Sequence, residues 1–196
     1  MIFRIASKKS QILKDLALKP KSYNLFTMHR AENTDFHENM VSVIKAFQIL
    51  ATSESKKDET GGNVIIFPIH PRTERLLKEK NLYRRLLRCK NVRVIEPVGY
   101  LDFIKLIANA AKIITDSGGI QKEAYLLGVP CITIRKSTEW VETVKEGWNK
   151  LTDTNTERIV RAVKSWHRYN RKRPNIFGSG KTSSVIRDIL LLSQDK

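Results

Sequence analysis

Residues 112–135, KIITDSGGIQKEAYLLGVPCITIR, contain the pattern that decides the fold. The apolar run Ile113-Ile114-Thr115 is typical of a buried parallel strand. The turn Asp116-Ser117-Gly118-Gly119 ends that run, and a helix is predicted at residues 120–127. A second apolar strand is predicted at residues 131–134. Strand, turn, helix and strand in this order form a βαβ unit, which predicts an α/β fold with a parallel sheet.

The turn at Ser117, Gly118 and Gly119 is a candidate phosphate site. A helix begins there, and its unpaired N–H groups and the positive end of its dipole favour an anion. Glu123, in the first turns of that helix, is placed to accept hydrogen bonds from ribose hydroxyls. The same residues also fit a structural role, in which Ser117 caps the helix and Glu123 favours its dipole. The local pattern leaves both interpretations open.

Strands and helices are predicted to alternate along most of the chain, which indicates a parallel sheet covered on both faces. Further strands are predicted at residues 23–28, 64–67, 92–95 and 149–152, and helices at residues 39–50, 74–90, 102–110, 141–146, 156–169 and 183–192. Asp102 is expected to cap its helix. Residues 51–62 are predicted to form a polar loop.

Polar loops follow three of the predicted strands, at residues 29–33, 70–73 and 116–119. Because the carboxyl ends of parallel strands meet at one edge of a sheet, we expect these loops to converge where such sheets bind ligands. The first two loops contain His29 and His70. A histidine there can donate to a phosphate or transfer a proton near neutral pH, but each pattern also fits a solvent-exposed loop residue.

The composition indicates one α/β domain with additional residues at its ends. The chain has 196 residues, of which 41% are apolar, and no apolar run is long enough to cross a bilayer. The first residues are also too weakly hydrophobic for a secretion signal, so we expect a cytoplasmic protein with no membrane partner. Cys89 and Cys131 lack metal-ligand spacing, so no metal site is predicted, and Cys131 is interpreted as a core residue.

The formal net charge of +16 is concentrated near the carboxyl terminus, where residues 158–181 include eight Lys or Arg residues and no acid. Such charge fits a polyanion partner, an anionic small substrate or a solvated basic surface. Few aromatic residues lie among these cations. We therefore interpret the stretch as a solvated helix face and expect no nucleic acid partner.

Five segments together resemble one family. These are TMHRAEN, FPIHPRT, VIEPVGYLDFIKLIANA, TDSGGIQKEAYLLGVPCITIR and STEWVETVKEGWN, and they look like the carboxyl-terminal half of the non-hydrolysing UDP-N-acetylglucosamine 2-epimerases. The resemblance extends over residues 10–193. It implies a Rossmann-like three-layer domain, one half of a glycosyltransferase-B type architecture, with no cofactor. Members interconvert UDP-GlcNAc and UDP-ManNAc by eliminating UDP across C1 and C2 and adding it back after C2 is inverted.

The resemblance also implies which residues contact a UDP-sugar. Those implied in UDP binding are Val98, Phe103, Ser117, Gly118, Gly119 and Glu123. Ser117, Gly118 and Gly119 are assigned to the diphosphate, and the Glu123 carboxylate is assigned to the ribose. The backbone around Val98 and Phe103 is assigned to the uracil. His29 is assigned to the phosphate and sugar region and to catalysis. Further candidates at the same site are Arg30, Glu32, His70 and Arg135.

This sequence departs from the family pattern in two ways. In many bacterial members the segment that matches Thr138-Glu139-Trp140 ends in an arginine that reaches the diphosphate. Here Trp140 replaces it, so the contact is absent or is made by Arg135 or Lys136. The Thr-Glu-Trp form also resembles relatives that act on UDP-2,3-diacetamido-glucuronate, which is an alternative substrate.

The second departure concerns domain organisation. Residues 1–21 are expected to be a linker between domains, and residues 22–196 the UDP-binding domain, while the family's amino-terminal domain has no counterpart here. The chain is therefore expected to be inactive by itself, either as the product of a truncated gene or as one part of a split enzyme whose partner is a separate amino-terminal domain chain. We also expect a homodimer formed through the terminal segments. A nucleotide-sugar glycosyltransferase and a non-catalytic UDP-binding module are the alternative functions.

Overall fold

A six-stranded parallel sheet lies at the centre of the computed structural model, which describes residues 2–52, 64–166, 173–178 and 180–192. The strands are β1 (Asn24–Thr27), β2 (Ile65–Pro68), β3 (Val92–Ile95), β4 (Lys112–Thr115), β5 (Cys131–Thr133) and β6 (Asn149–Leu151). Their order across the sheet is β3-β2-β1-β4-β5-β6, and each adjacent pair is parallel. The α/β fold expected from the βαβ unit is confirmed.

Alternate residues of the central strands face opposite sides of the sheet. Leu25 and Ile113 pack in one hydrophobic cluster, whereas their neighbours Phe26 and Ile114 pack in the other. All four side chains are almost completely buried. Burial on both faces explains why these strands are continuous apolar runs in the sequence.

Helices cover both faces of the sheet. They are α1 (Ile2–Lys9), α2 (Ile12–Asp15), α3 (Ala31–Thr34), α4 (His37–Thr52), α5 (Pro71–Glu79), α6 (Tyr83–Leu87), α7 (Tyr100–Asn109), α8 (Gly118–Leu127), α9 (Val141–Lys145), α10 (Thr156–Ser165) and α11 (Thr182–Leu192). Residues of α4, α5, α6 and α10 form one core cluster with the strands. Residues of α1, α7 and α8 form the other.

The amino-terminal segment packs against α7 and β3. Ala6 of α1 is fully buried, and Lys105 Nζ of α7 donates a hydrogen bond to the Ser7 carbonyl at 3.0 Å. Arg93 of β3 donates from Nη1 to the Leu16 carbonyl at 2.5 Å. Both α1 and α2 thus have contacts within the same layered domain.

The last helix contrasts with the others because its apolar residues face solvent. Val185, Ile186 and Ile189 of α11 are 54%, 51% and 60% exposed. None of the described helices is both long and apolar enough to span a membrane.

Two details of the predicted helices are wrong. Gly99, not Asp102, is the N-cap residue of α7, and Asp102 lies within the first turn. The basic segment expected as one helix is two helices, α5 and α6, because Asn81 between them has a φ of 57°, a left-handed conformation that ends a right-handed helix. Most of the predicted loop at 51–62, and the end of the helix predicted at 156–169, lie outside the described residues.

Cys131 is a core residue, as expected. Its side chain in β5 is 1% exposed, and burial raises the pKa of its thiol to about 12. A thiol protonated at neutral pH is a poor nucleophile, so this cysteine has a packing role.

Candidate functional site

The candidate site lies at the carboxyl edge of the sheet, between β1 and β4. These adjacent strands mark the point where the strand order reverses, since the chain continues outward in one direction from β1 to β2 and β3, and in the other from β4 to β5 and β6. Open α/β sheets bind ligands at such switch points. His29 follows β1 and Asp116 follows β4, so two of the predicted loops meet here.

The Asp116 carboxylate connects the two loops. Its side chain is fully buried, and Oδ2 accepts hydrogen bonds from the backbone N–H groups of His29 at 3.1 Å and Arg30 at 3.0 Å. Asn33 donates to the same oxygen from Nδ2 at 3.1 Å and also to the Ile134 carbonyl. The sequence analysis placed Asp116 in the turn after β4 and gave it no role of its own, although an acid directly after a buried strand was the signal that could have identified it.

The imidazole of His29 lies against this carboxylate. Its Nδ1 is 3.5 Å from Asp116 Oδ1, and its side chain is 39% exposed. The ring of His70 lies 6.0 Å from the ring of His29. His70 is the N-cap residue of α5, and its Nδ1 accepts a hydrogen bond from the Arg72 N–H at 3.2 Å. The loops at 29–33 and 70–73 therefore converge as predicted, with His70 also serving its helix.

Two residues of α5 hold the loop that contains His29 through hydrogen bonds to its backbone. The sequence analysis assigned a role to neither of them. Thr73 is fully buried and donates from Oγ1 to the Met28 carbonyl at 2.6 Å. Arg72 donates from Nη1 to the His29 carbonyl at 3.2 Å and forms an ion pair with Asp35 at 2.5 Å. The backbone on both sides of His29 is thus fixed by side chains.

Helix α8 begins at the predicted turn. Ser117 has extended backbone angles at the N-cap position, but its side chain makes no capping hydrogen bond. The alternative interpretation, in which the Ser117 hydroxyl caps the helix, is therefore wrong. Its N–H donates instead to Thr115 Oγ1 at 3.0 Å. Gly128 ends the helix with a φ of 67°, a conformation that glycine adopts without strain.

The segment before α9 folds over the start of α8. Trp140 donates from Nε1 to the Gly118 carbonyl at 2.8 Å, and its N–H donates to Thr138 Oγ1 at 3.0 Å. A Cβ atom at Gly118 would collide with the Glu139 carboxylate, lying 2.9 Å from its Cδ. A side chain at position 118 would therefore require the Glu139 carboxylate, the flexible end of that side chain, to move away.

Glu123 lies on α8 beside Tyr100, the first residue of α7. The Tyr100 hydroxyl donates to Glu123 Oε1 at 2.8 Å. Burial raises the pKa of the Glu123 carboxyl, and the hydrogen bond from Tyr100 opposes that effect. A carboxylate with one oxygen already bound to a hydroxyl can still accept hydrogen bonds from a vicinal diol.

A small apolar cavity of about 180 Å³ separates His29 from α7. It is lined by Thr27, Met28, His29, Pro68, His70, Pro97, Val98, Phe103 and Ile120. The Phe103 N–H donates to the Gly99 carbonyl at 2.9 Å within α7. Val98 and Phe103 are the two residues assigned to the uracil. The Phe103 N–H is already used in a helix hydrogen bond, whereas Val98 lies before the helix begins.

The candidate cations form an ion-pair network at the rim. Arg135 is 14% exposed, and its guanidinium pairs with Glu32 at 2.7 Å and with Glu139 at 2.8 Å. Arg30 lies 3.7 Å from Glu139 and is 41% exposed. Lys136 is exposed and lines a neighbouring cavity of about 440 Å³. Arg135, Arg30 and Glu32 thus belong to one network, and Arg135 and Glu32 line the same cavity as Lys136.

Among the described residues, no group of three or more His, Cys, Asp or Glu side chains is arranged to hold a metal ion.

Comparison with known proteins gives consistent matches over nearly the whole chain. The family described as UDP-N-acetylglucosamine 2-epimerase matches residues 2–191. A UDP-N-acetylglucosamine 2-epimerase homolog of Methanococcus maripaludis is 44% identical over 95% of this chain and 49% of its own length. A UDP-2,3-diacetamido-2,3-dideoxy-D-glucuronate 2-epimerase of Pseudomonas aeruginosa is 36% identical over 85% of this chain and 43% of its own.

A solved structure agrees with these relatives. The Methanocaldococcus jannaschii UDP-GlcNAc 2-epimerase, crystallised with UDP-GlcNAc and UDP, has a TM-score of 0.81 and 41% identity, covering 97% of this chain and 51% of the solved one. The chain spans about half the length of the curated relatives it matches. With a family match over most of its residues, this chain belongs to the UDP-N-acetylglucosamine 2-epimerase family.

Proposed function

We propose that this chain is the nucleotide-binding half of a UDP-GlcNAc 2-epimerase. The observation that carries the proposal is the start of α8, where Ser117, Gly118 and Gly119 lie at the switch point of the sheet beside His29. A relative with this fold is 41% identical and was solved with UDP-GlcNAc and UDP. In this proposal, the helix terminus holds the diphosphate and Glu123 accepts from the ribose hydroxyls.

The proposed reaction is the interconversion of UDP-GlcNAc and UDP-ManNAc. A base removes the proton from C2 as the bond from C1 to the UDP oxygen breaks, and the electron pair forms a C1–C2 double bond. A proton then adds to the opposite face of C2, and UDP returns to C1. His29 is the acid–base candidate from this half. Asp116 is a positioning residue, because it lies beside Nδ1 and leaves Nε2 to meet the ligand.

Binding of UDP to the isolated chain is the first test. Since the other half of the diphosphate contacts would come from elsewhere, we expect a Kd in the micromolar to millimolar range, which corresponds to about −8 to −4 kcal/mol. Isothermal titration calorimetry with UDP, and with adenosine diphosphate as the control, measures it. The absence of saturable heat at millimolar UDP would contradict the proposal.

A second UDP-sugar is also a candidate substrate. Trp140 replaces the family arginine, and the chain is 36% identical to the diacetamido-glucuronate 2-epimerase of Pseudomonas aeruginosa. UDP-2,3-diacetamido-glucuronate is therefore the second candidate substrate. Competition titrations of both UDP-sugars against UDP distinguish the candidates by which one displaces UDP at the lower concentration.

Turnover is proposed to need the amino-terminal half of the family fold in addition to this half. The test mixes this chain with an amino-terminal half expressed from the Methanococcus maripaludis relative and follows UDP-GlcNAc by NMR. Formation of UDP-ManNAc only in the mixture is expected. Equal rates with and without the amino-terminal half would contradict the division.

Self-association is proposed through α11, with a second copy as the occupant. Its apolar residues Val185, Ile186 and Ile189 are all more than half exposed, and its charges Arg187 and Asp188 pair with each other at 2.7 Å. This face therefore lacks the like-charge repulsion that two copies of a basic surface would have. Sedimentation equilibrium is expected to show that the wild-type chain is a dimer. The double variant Ile186→Glu/Ile189→Glu is expected to be a monomer. A dimer unaffected by both changes would contradict the assignment.

A further inference from the structure

The Glu139 carboxylate lies directly against the first residue of α8. Its Oε1 occupies the space that a Cβ atom of Gly118 would need, and its Cδ would be 2.9 Å from that atom. Hydrogen bonding to its own backbone amide, followed by the Arg135 guanidinium, lowers the pKa of this carboxyl despite partial burial. Glu139 is thus an anion at the positive end of a helix dipole, where anions are favoured.

This placement conflicts with a nucleotide bound at the same turn. A diphosphate held by Ser117, Gly118 and Gly119 would approach the same Cα surface, and two anions at one helix terminus repel each other. The neighbours Thr138 and Trp140 fasten the backbone on both sides of Glu139 through hydrogen bonds to Gln121 and Gly118. The Glu139 side chain, which is 45% exposed, can rotate outward without moving that backbone.

We propose that Glu139 is an internal competitor for the diphosphate position and that nucleotide binding displaces it, an inference that rests on the proposed function. Displacement releases Arg30, 3.7 Å from Glu139, and removes one of the two carboxylates paired with Arg135, whose other partner, Glu32, stays at 2.7 Å. Both guanidiniums then pair with the diphosphate in place of the carboxylate. These two arginines supply the charge that Trp140 cannot provide.

The consequence is a lowered apparent affinity for diphosphates. Suppose that a diphosphate binds only to those chains in which Glu139 is rotated outward. The measured Kd is then the intrinsic Kd divided by the fraction of such chains. A ligand without a diphosphate does not meet the carboxylate and is unaffected. Glu139 therefore acts on the diphosphate part of recognition and not on the nucleoside part.

The test compares Glu139→Gln with Glu142→Gln. The second variant removes the same charge from an exposed residue of α9, so it controls for a change in the overall field. UDP and uridine are titrated into each protein and followed by NMR chemical shifts. We expect Glu139→Gln to bind UDP about two- to fivefold more tightly than Glu142→Gln, the effect of a carboxylate at a helix N-terminus, with uridine affinity unchanged.

Three outcomes decide the proposal. UDP binding by Glu139→Gln that is equal to or weaker than binding by Glu142→Gln would overturn the competition while leaving the proposed function intact. A gain for uridine as large as the gain for UDP would overturn it too, because the effect would not involve the diphosphate. If neither the wild-type chain nor Glu139→Gln binds UDP, the proposed function fails and this inference fails with it.

Discussion

Replacing Asp116 by asparagine tests whether one buried carboxylate holds the two loops of the site together. Oδ2 accepts three hydrogen bonds, from the N–H groups of His29 and Arg30 and from Asn33 Nδ2, at 3.1, 3.0 and 3.1 Å. A bond to a charged group contributes about 1.5–3 kcal/mol and a neutral one about 0.5–1.5 kcal/mol. Each bond therefore loses about 1 kcal/mol, and Asp116→Asn should lower the free energy of unfolding by about 3 kcal/mol.

The new amide cannot avoid this loss by turning over. If its oxygen keeps the three donors, its NH₂ group faces the His29 N–H, which lies 3.2 Å from Asp116 Oδ1. Two donors then oppose each other in a fully buried position. In the opposite orientation the NH₂ group faces the three donors that now bond to Oδ2. That arrangement is less favourable, because three pairs of donors then oppose each other.

Urea unfolding followed by tryptophan fluorescence measures the change. Asp102→Asn is the matched control, because it makes the same chemical change in the first turn of α7 and should cost at most about 1 kcal/mol through the helix dipole. Equal denaturant slopes for the variants are required for the comparison. If Asp116→Asn unfolds within about 1 kcal/mol of Asp102→Asn, the hydrogen-bond argument is refuted.

Three other residues give further predictions. Glu123→Gln should weaken UDP and UMP binding by about 1.5–3 kcal/mol in calorimetry; unchanged affinity for both would leave Glu123 only a helix-dipole role. The pKa of the Glu123 carboxyl is raised, so this group becomes protonated at a higher pH than an ordinary carboxyl. As the pH is lowered, the UDP affinity of the wild-type chain should therefore begin to fall at that higher pH. This part of the pH dependence should be missing in Glu123→Gln. Gly128→Ala should cost about 1–2 kcal/mol, since φ is 67°. Gly119→Ala, with no atom nearer than 3.9 Å to the added Cβ, should not destabilise in the same urea assay.

The sequence was sufficient for the elements whose signal is local. The run Ile113-Ile114-Thr115 predicted β4 because a strand buried on both faces is continuously apolar, and Gly128 marked the end of α8. Parallel strands then required the polar loops to meet at one edge, which the distance of 6.0 Å between the His29 and His70 rings confirms. Each of these inferences needs only a few consecutive residues and a general rule of α/β sheets.

What the sequence could not supply was the pairing of distant side chains. Asp116 and Asn33 are 83 positions apart, and Arg72 and His29 are 43 apart, so no local pattern links them. The cap of α7 was misassigned because aspartate is a common capping residue, whereas the actual cap is Gly99, which has no side chain to accept a hydrogen bond. Arg135 was a candidate for the diphosphate, but its ion pairs with Glu32 and Glu139 are visible only in three dimensions.

The acids around His29 also bear on how the family chemistry divides between two halves. Inverting C2 requires a proton to leave one face and another to arrive at the opposite face, so two acid–base groups are needed. Asp116 is buried and already accepts from three donors, and Glu123 accepts from Tyr100. Glu32 and Glu139 are each paired with Arg135.

Each of these four carboxylates therefore has an electrostatic or positioning role that ionisation supports and that proton transfer would interrupt. A base has to exchange its proton in every turnover, which would break the hydrogen bonds to Asp116, the Tyr100–Glu123 hydrogen bond or the Arg135–Glu32 ion pair each time. His29 can exchange a proton through Nε2 without disturbing any of these contacts. Under the proposed function, His29 would be the single acid–base group of this half, and the group acting on the opposite face of C2 would belong to the other half of the epimerase fold.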